Sequence, residues 1–145
     1  MVLWAIKMMR QEFENTNILI VEDDLTSYLL MMEYLISYQF TFYRAVNDVE
    51  TWELLNSKLE FHLILMDVKL PTSSMNGIDL SRGIKKRFPN VPIMIQTAVV
   101  ESKNQFDFIV GVYDDFITKP YYLDCFTDKV LSLLNCVAVS APILD

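Results

Sequence analysis

The stretch HLILMDVKLP, residues 62–71, decides how this chain is read. Four apolar residues, Leu63 to Met66, have the pattern of a strand buried on both faces, and a carboxylate, Asp67, follows them directly. A run of four is too short for a helix, and the absence of polar alternation points to a sheet covered on both sides. An acid at the end of such a strand is either a solvated turn residue or a reactive group.

Outward from this stretch the same pattern recurs. ILIV (18–21) reads as a strand and LTSYLLMMEYLISY (25–38) as a helix, with Asp24 or Thr26 as its cap. TFYRAV (41–46) has the β-branched and aromatic mix of a strand, and VETWELLNSKL (49–59) returns to helical spacing behind Asn47 or Asp48. After LILM, a loop holding Pro71, Ser73, Ser74 and Gly77 leads into the helix GIDLSRGIKKRF (77–88), which ends in basic residues and stops at Pro89 and Asn90. VPIMIQT (91–97) is the next strand, ESKNQFDFIVGV (101–112) a helix, DDFIT (114–118) a strand and YLDCFTDKVLSLLN (122–135) the last helix. Alternating strands and helices predict an α/β domain, a parallel sheet between two helix layers. Right-handed crossovers bring every strand's carboxyl end to one edge, where open α/β sheets bind ligands near the switch in strand order.

Composition fits a single domain. At 145 residues the chain is long enough to bury a core, and 52% hydrophobic residues with only three glycines exclude disorder or low complexity. A formal charge of −7 argues against direct nucleic-acid contact, which needs clustered Lys and Arg. Cys125 and Cys136 stand on one expected helix, too far apart to bridge, which fits a reducing, cytoplasmic setting. No apolar run approaches the roughly 20 residues of a membrane span. In MVLWAIKMMRQEF the apolar stretch precedes Lys7 and Arg10, the wrong order for a secretory signal. Residues 1–16 are therefore read as an N-terminal extension or linker, 17–135 as the domain, and 136–145 as a C-terminal tail without an output domain.

The topology gathers five polar residues at the ligand edge. Glu22 and Asp23 follow the first strand, Asp67 ends the third, Thr97 ends the fourth and Lys119 follows the fifth. Carboxylates held about 4 Å apart repel by about 4 kcal/mol per pair at an effective dielectric of about 20, so a divalent cation is expected among them. Oxygen-only ligands suit Mg²⁺, which leaves positions for phosphate oxygens. With Lys119 the site balances in charge, and an incoming phosphoryl group meets cations on two sides, with an aspartyl phosphate as covalent product.

ILIVEDD, LILMDVKLP, IMIQTA and DDFITKP, in this order and spacing, resemble the response-regulator receiver domain of two-component signalling over about residues 17–135. The resemblance implies a CheY-like, flavodoxin-like three-layer fold with five parallel strands in the order 2-1-3-4-5. It implies that Asp67 is the phosphoacceptor for a histidine kinase or phosphotransfer protein. Asp23 is then the direct Mg²⁺ ligand with Asp67 and the Lys69 backbone carbonyl, and Glu22 acts through water. Thr97 is the hydroxyl that bonds the phosphoryl group, Lys119 its ammonium partner, Phe116 the switch aromatic, and Pro120 a cis-peptide position. The face made by residues 101–135, the fourth helix, fifth strand and fifth helix, is the implied surface for an effector or a homodimer. Phe116 lacks the hydroxyl of a tyrosine, so its signal is carried by packing.

The chain also departs from the family. Gly77 stands ten positions after Asp67 where about eight is usual, which makes PTSSMNG a loop lengthened by two residues, and GVYDDF carries one extra residue. Lys69 and Val99 match positions that tune hydrolysis of the acyl phosphate.

Other functional classes make different demands on the same residues. A haloacid-dehalogenase-type phosphatase calls for a second Asp two residues after the nucleophile, where Lys69 stands, and a nucleotide-binding domain calls for a Gly-rich loop after the first strand, which is missing. A degenerate receiver acting only as an interaction module keeps the fold without the chemistry. His62, the only histidine, is read as structural, Met31, Met32, Met66 and Met94 as core filling, and Tyr121, Tyr122 and Phe126 as candidates for a partner surface.

Overall fold

The computed structural model describes residues 2–5, 13–98 and 111–140, the last five by their backbone alone. Five parallel strands, β1 (Asn17–Val21), β2 (Thr41–Ala45), β3 (Leu63–Asp67), β4 (Ile93–Thr97) and β5 (Asp115–Thr118), form one sheet in the order β2-β1-β3-β4-β5. This is the order that the resemblance implies. The described helices are α1 (Leu25–Leu35), α2 (Asp48–Leu55), α3 (Gly77–Arg87) and α4 (Leu123–Ser140), with a helical stretch at residues 2–5.

The three central strands carry the core. Every residue of β3 and β4, and all of β1 after Asn17, is buried, as a parallel sheet between helix layers requires. Because side chains alternate along a strand, Ile18, Ile20, Leu63 and Leu65 meet Met31 and Leu35 of α1 and Phe126 and Val130 of α4 on one face. Leu19, Val21, Ile64 and Met66 meet Leu55 of α2 and Leu80 and Ile84 of α3 on the other. Three helices begin at the carboxyl edge of the sheet, each fixed by a side-chain cap: Asp24 accepts from the Ser27 amide, Asn47 from Glu50 and Asn76 from Asp79, all at 2.9 Å.

Several boundaries differ from the sequence reading. The first helix ends at Leu35 and tightens into a 3₁₀ turn over Ile36–Tyr38, after which Gln39 takes a left-handed conformation, φ 61°. The second stops at Leu55, where the Ser57 hydroxyl donates to the Leu54 carbonyl. The last helix runs five residues past 135, since no glycine or proline interrupts the chain before Pro142. Residues 101–110 of the expected fourth helix, and Val99, lie outside the described residues; Gly111 sits in a turn with φ 87°. Phe13, read as part of the extension, is 6% exposed and packs 5.1 Å from the Phe40 ring. Cys125 is exposed on α4, and Cys136 lies about 16 Å farther along the same helix. Among the described residues no helix is long and apolar enough to cross a membrane.

Candidate functional site

The acidic edge begins where β1 stops. Glu22 continues the ladder by donating its amide to the Ala45 carbonyl at 3.0 Å, and its side chain turns inward to 1% exposure. Two donors hold that carboxylate: the Asp24 amide at 3.1 Å and the Lys119 ammonium at 3.1 Å. Asp23 beside it is half-buried. Asp67, the last residue of β3, is 8% exposed and accepts from the Lys69 amide at 3.3 Å, and the Lys119 nitrogen lies 3.7 Å away. One oxygen from each of Glu22, Asp23 and Asp67 lies within 4.8 Å of the others. The sequence-predicted carboxylates and Lys119 are thus brought into one pocket.

Burial, reinforced by the Asp67 charge, pushes the Glu22 carboxyl up to about 7 against the opposing pull of Lys119. Burial also raises Asp67, and again Lys119 opposes the shift. Burial thus outweighs the pull of the one ammonium, and Glu22 and Asp67 hold protons at a pH where free carboxyls have begun to lose them. The donor set is all oxygen, the charge excess is negative and Asp23 reaches solvent, which together fit a hard divalent cation such as Mg²⁺.

The remaining predicted residues surround this pocket at different depths. Thr97 ends β4 at 7% exposure, one residue past the register partner of Asp67, and its carbonyl accepts the Lys119 amide at 2.7 Å. That bond ties the threonine-bearing strand to the loop carrying the lysine. The Lys119–Pro120 peptide is cis. Phe116 lies on the edge strand at 46% exposure with the Lys129 ammonium 5.9 Å from its ring centroid.

Gly77 explains how the longer loop closes. Its amide donates to the Val68 carbonyl at 2.9 Å, and a Cβ placed on it would lie only 1.9 Å from the Asp67 carbonyl oxygen. Only a residue without a side chain lets α3 begin this close to the phosphoacceptor candidate. The loop itself is clasped to the start of α2: the Asp48 amide donates to the Ser73 hydroxyl at 3.0 Å, and Ser74 donates to the Asp48 carboxylate from both amide and hydroxyl.

Some placements correct the sequence reading. Of the three aromatics read as a partner surface, Phe126 is fully buried, Tyr121 is half-buried and stacks on it at 5.0 Å, and Tyr122 is 85% exposed. The Tyr121 hydroxyl donates to Gln96 Oε1 at 3.1 Å, and the fully buried Gln96 amide reaches Met31 Sδ, a polar link that no local motif announces. His62 is structural, its Nδ1 accepting the Asn17 amide at 3.0 Å. Arg44 was also missed; it donates to the carbonyls of both Glu22 and Asp23.

The chain is similar to known proteins in sequence and in fold. The chain is 32% identical over 107 residues to the cell cycle transcriptional regulator CtrA of Caulobacter vibrioides, a match covering 74% of this chain and 45% of that protein. The chain therefore spans less than half the length of that relative. The signal receiver domain of a signal transduction histidine kinase from Syntrophus aciditrophicus superposes with a TM-score of 0.75 at 27% identity, covering 90% of this chain and 98% of that one. A CheY-like response regulator receiver domain protein from Methanospirillum hungatei shares the fold with a TM-score of 0.77 at 23% identity, covering 87% and 98%. The sequence model of the response regulator receiver domain matches residues 18–131, and the chain belongs to that family of two-component signalling domains.

Proposed function

We propose that the chain is a phosphorylatable receiver: Asp67 accepts a phosphoryl group from a histidine kinase or phosphotransfer protein, and the modified domain changes its affinity for a partner. The observation that carries this reading is the convergence of Glu22, Asp23 and Asp67 within 4.8 Å beside the Lys119 ammonium. A carboxylate oxygen of Asp67 attacks phosphorus, the P–N bond of a phosphohistidine breaks, and the departing imidazole keeps the electron pair and takes a proton from solvent. The product is a mixed carboxylic–phosphoric anhydride.

Mg²⁺ held by Asp23, Asp67 and the Lys69 carbonyl, with Glu22 acting through water, would supply positive charge for the transferring oxygens. Lys119 supplies a second positive charge from the protein itself. Thr97, at the end of β4, would bond a phosphoryl oxygen, and Phe116, exposed on β5 opposite Ile95, is the residue whose repacking would report the change. The face around β5 and α4 is the proposed surface for an effector or a second copy, in a cytoplasmic setting.

Incubation with acetyl phosphate and Mg²⁺ tests the reading by intact mass. A gain of one phosphoryl group, lost in Asp67→Asn, supports it. No gain under these conditions favours the interaction-only receiver instead.

A further inference from the structure

The β1–β2 ladder closes with the Glu22 amide on the Ala45 carbonyl, because β2 ends there and the chain turns toward the Asn47 cap. Two carbonyls of the loop that follows, those of Glu22 and Asp23, have no backbone donor among the described residues. Both are met by one side chain: Arg44 donates from Nε to the Glu22 carbonyl at 3.1 Å and from its terminal nitrogen to the Asp23 carbonyl at 2.8 Å. A guanidinium suits this task, since its adjacent donors form a rigid planar fork and its charge strengthens each bond. Its carbon lies 5.2 Å from the centroid of the Tyr28 ring on α1, which holds the fork from one face.

The two acids are anchored differently. Glu22 is fixed through its own carboxylate by Lys119 and the Asp24 amide. Asp23 has no such anchor: among the described residues nothing hydrogen-bonds its carboxylate, and its carbonyl is the group held. We propose that Arg44 is a positioning residue for metal binding, fixing through the Asp23 carbonyl where that carboxylate presents itself to a divalent cation, with Tyr28 as the platform that aligns it. This rests on the metal-binding reading above and assigns a residue to it. The guanidinium charge by itself would oppose cation binding, so hydrogen bonding and repulsion predict opposite effects of its removal.

The test is the affinity of the full chain for Mn²⁺ alone, followed by the electron paramagnetic resonance signal of the free ion, with urea melts recorded on each variant. Arg44→Met keeps the length of the stem and removes both donors; it should weaken binding about tenfold, the scale expected when a group supporting a metal ligand is lost. Arg44→Lys retains one donor and should fall between Met and the parent. Tyr28→Leu leaves the donors and removes the platform, and a loss of about threefold is expected there. If Arg44→Met fails to fold, the Lys and Leu variants decide the question in the same way. Folded variants with parental affinity, or with tighter binding, overturn the proposal. Failure of the parent chain to bind Mn²⁺ is a different result, which removes the metal-binding reading and this inference together.

Discussion

Lys119 lies nearer to Glu22 than to Asp67, 3.1 Å against 3.7 Å, so the ammonium is first the counter-ion of the most deeply buried acid in the pocket. Replacing it leaves a carboxylate of 1% exposure with no charged partner. Lys119→Met should cost about 1–3 kcal/mol in urea unfolding, and more at pH 8, where Glu22 is ionised, than at pH 5. An equal loss at both pH values would show that the lysine acts by packing.

Stability of the metal-free protein should fall as pH rises from 4.5 toward 7 and just beyond. Glu22 is raised from 4.5 to about 7, and Asp67 is raised as well, so the folded state holds protons that the unfolded chain has released. The stabilisation is complete below the unfolded values and is lost as pH passes through the folded ones. Melting temperature measured across this window should decline, Mg²⁺ should reverse the decline near its upper end, and Glu22→Gln should flatten it. A metal-free stability that climbs through the window contradicts the assignment.

Gly77→Ala places a methyl group 1.9 Å from the Asp67 carbonyl oxygen, a backbone atom that a rotamer change does not move away. A loss of about 3 kcal/mol is expected, with weaker phosphorylation, because Asp67 itself must shift. Gly83→Ala is the control. Its Cβ would meet only the Trp52 ring at 3.4 Å, inside a helix, where alanine gains up to about 1 kcal/mol over glycine. Similar effects at the two positions would refute the close-approach explanation.

Asp48→Ala should free the lengthened loop without unfolding the domain. The substitution removes the two bonds that Ser74 makes to the Asp48 carboxylate, which hold that carboxyl below its ordinary range, and keeps only the Asp48 amide bond to Ser73. Amide exchange at Ser74 should accelerate while the protection of β3 stays unchanged, since the clasp is local and largely exposed. Exchange at Ser74 unaltered by the substitution would show that the turn closed by the Ser73 amide on Leu70 is sufficient.

The parts of this molecule legible in sequence are those written in contiguous residues. Short apolar runs ending in an acid, a threonine or a lysine gave strand ends, and parallel topology placed those ends on one edge. What escaped depends on register. Arg44 stands in β2 among aromatic and apolar neighbours, and its partners become visible only once Ile20 is paired with it across the sheet. Asp48 looked like a helix cap, a role that Asn47 fills, leaving the aspartate to hold a loop 25 residues away. Phe126 and Tyr122 are chemically alike in sequence; Phe126 lies one turn into α4 on the side packed against the sheet, whereas Tyr122 precedes the helix and is exposed.

The central claim is that Asp67 carries the phosphoryl group as an acyl phosphate, and hydride trapping tests it most directly. After treatment with acetyl phosphate and Mg²⁺, borohydride reduces an aspartyl phosphate to homoserine, which peptide mass spectrometry locates. Homoserine at position 67, absent when the metal is chelated, is the predicted result. Homoserine at another aspartate, or none at position 67 in a folded, metal-loaded chain, contradicts the account.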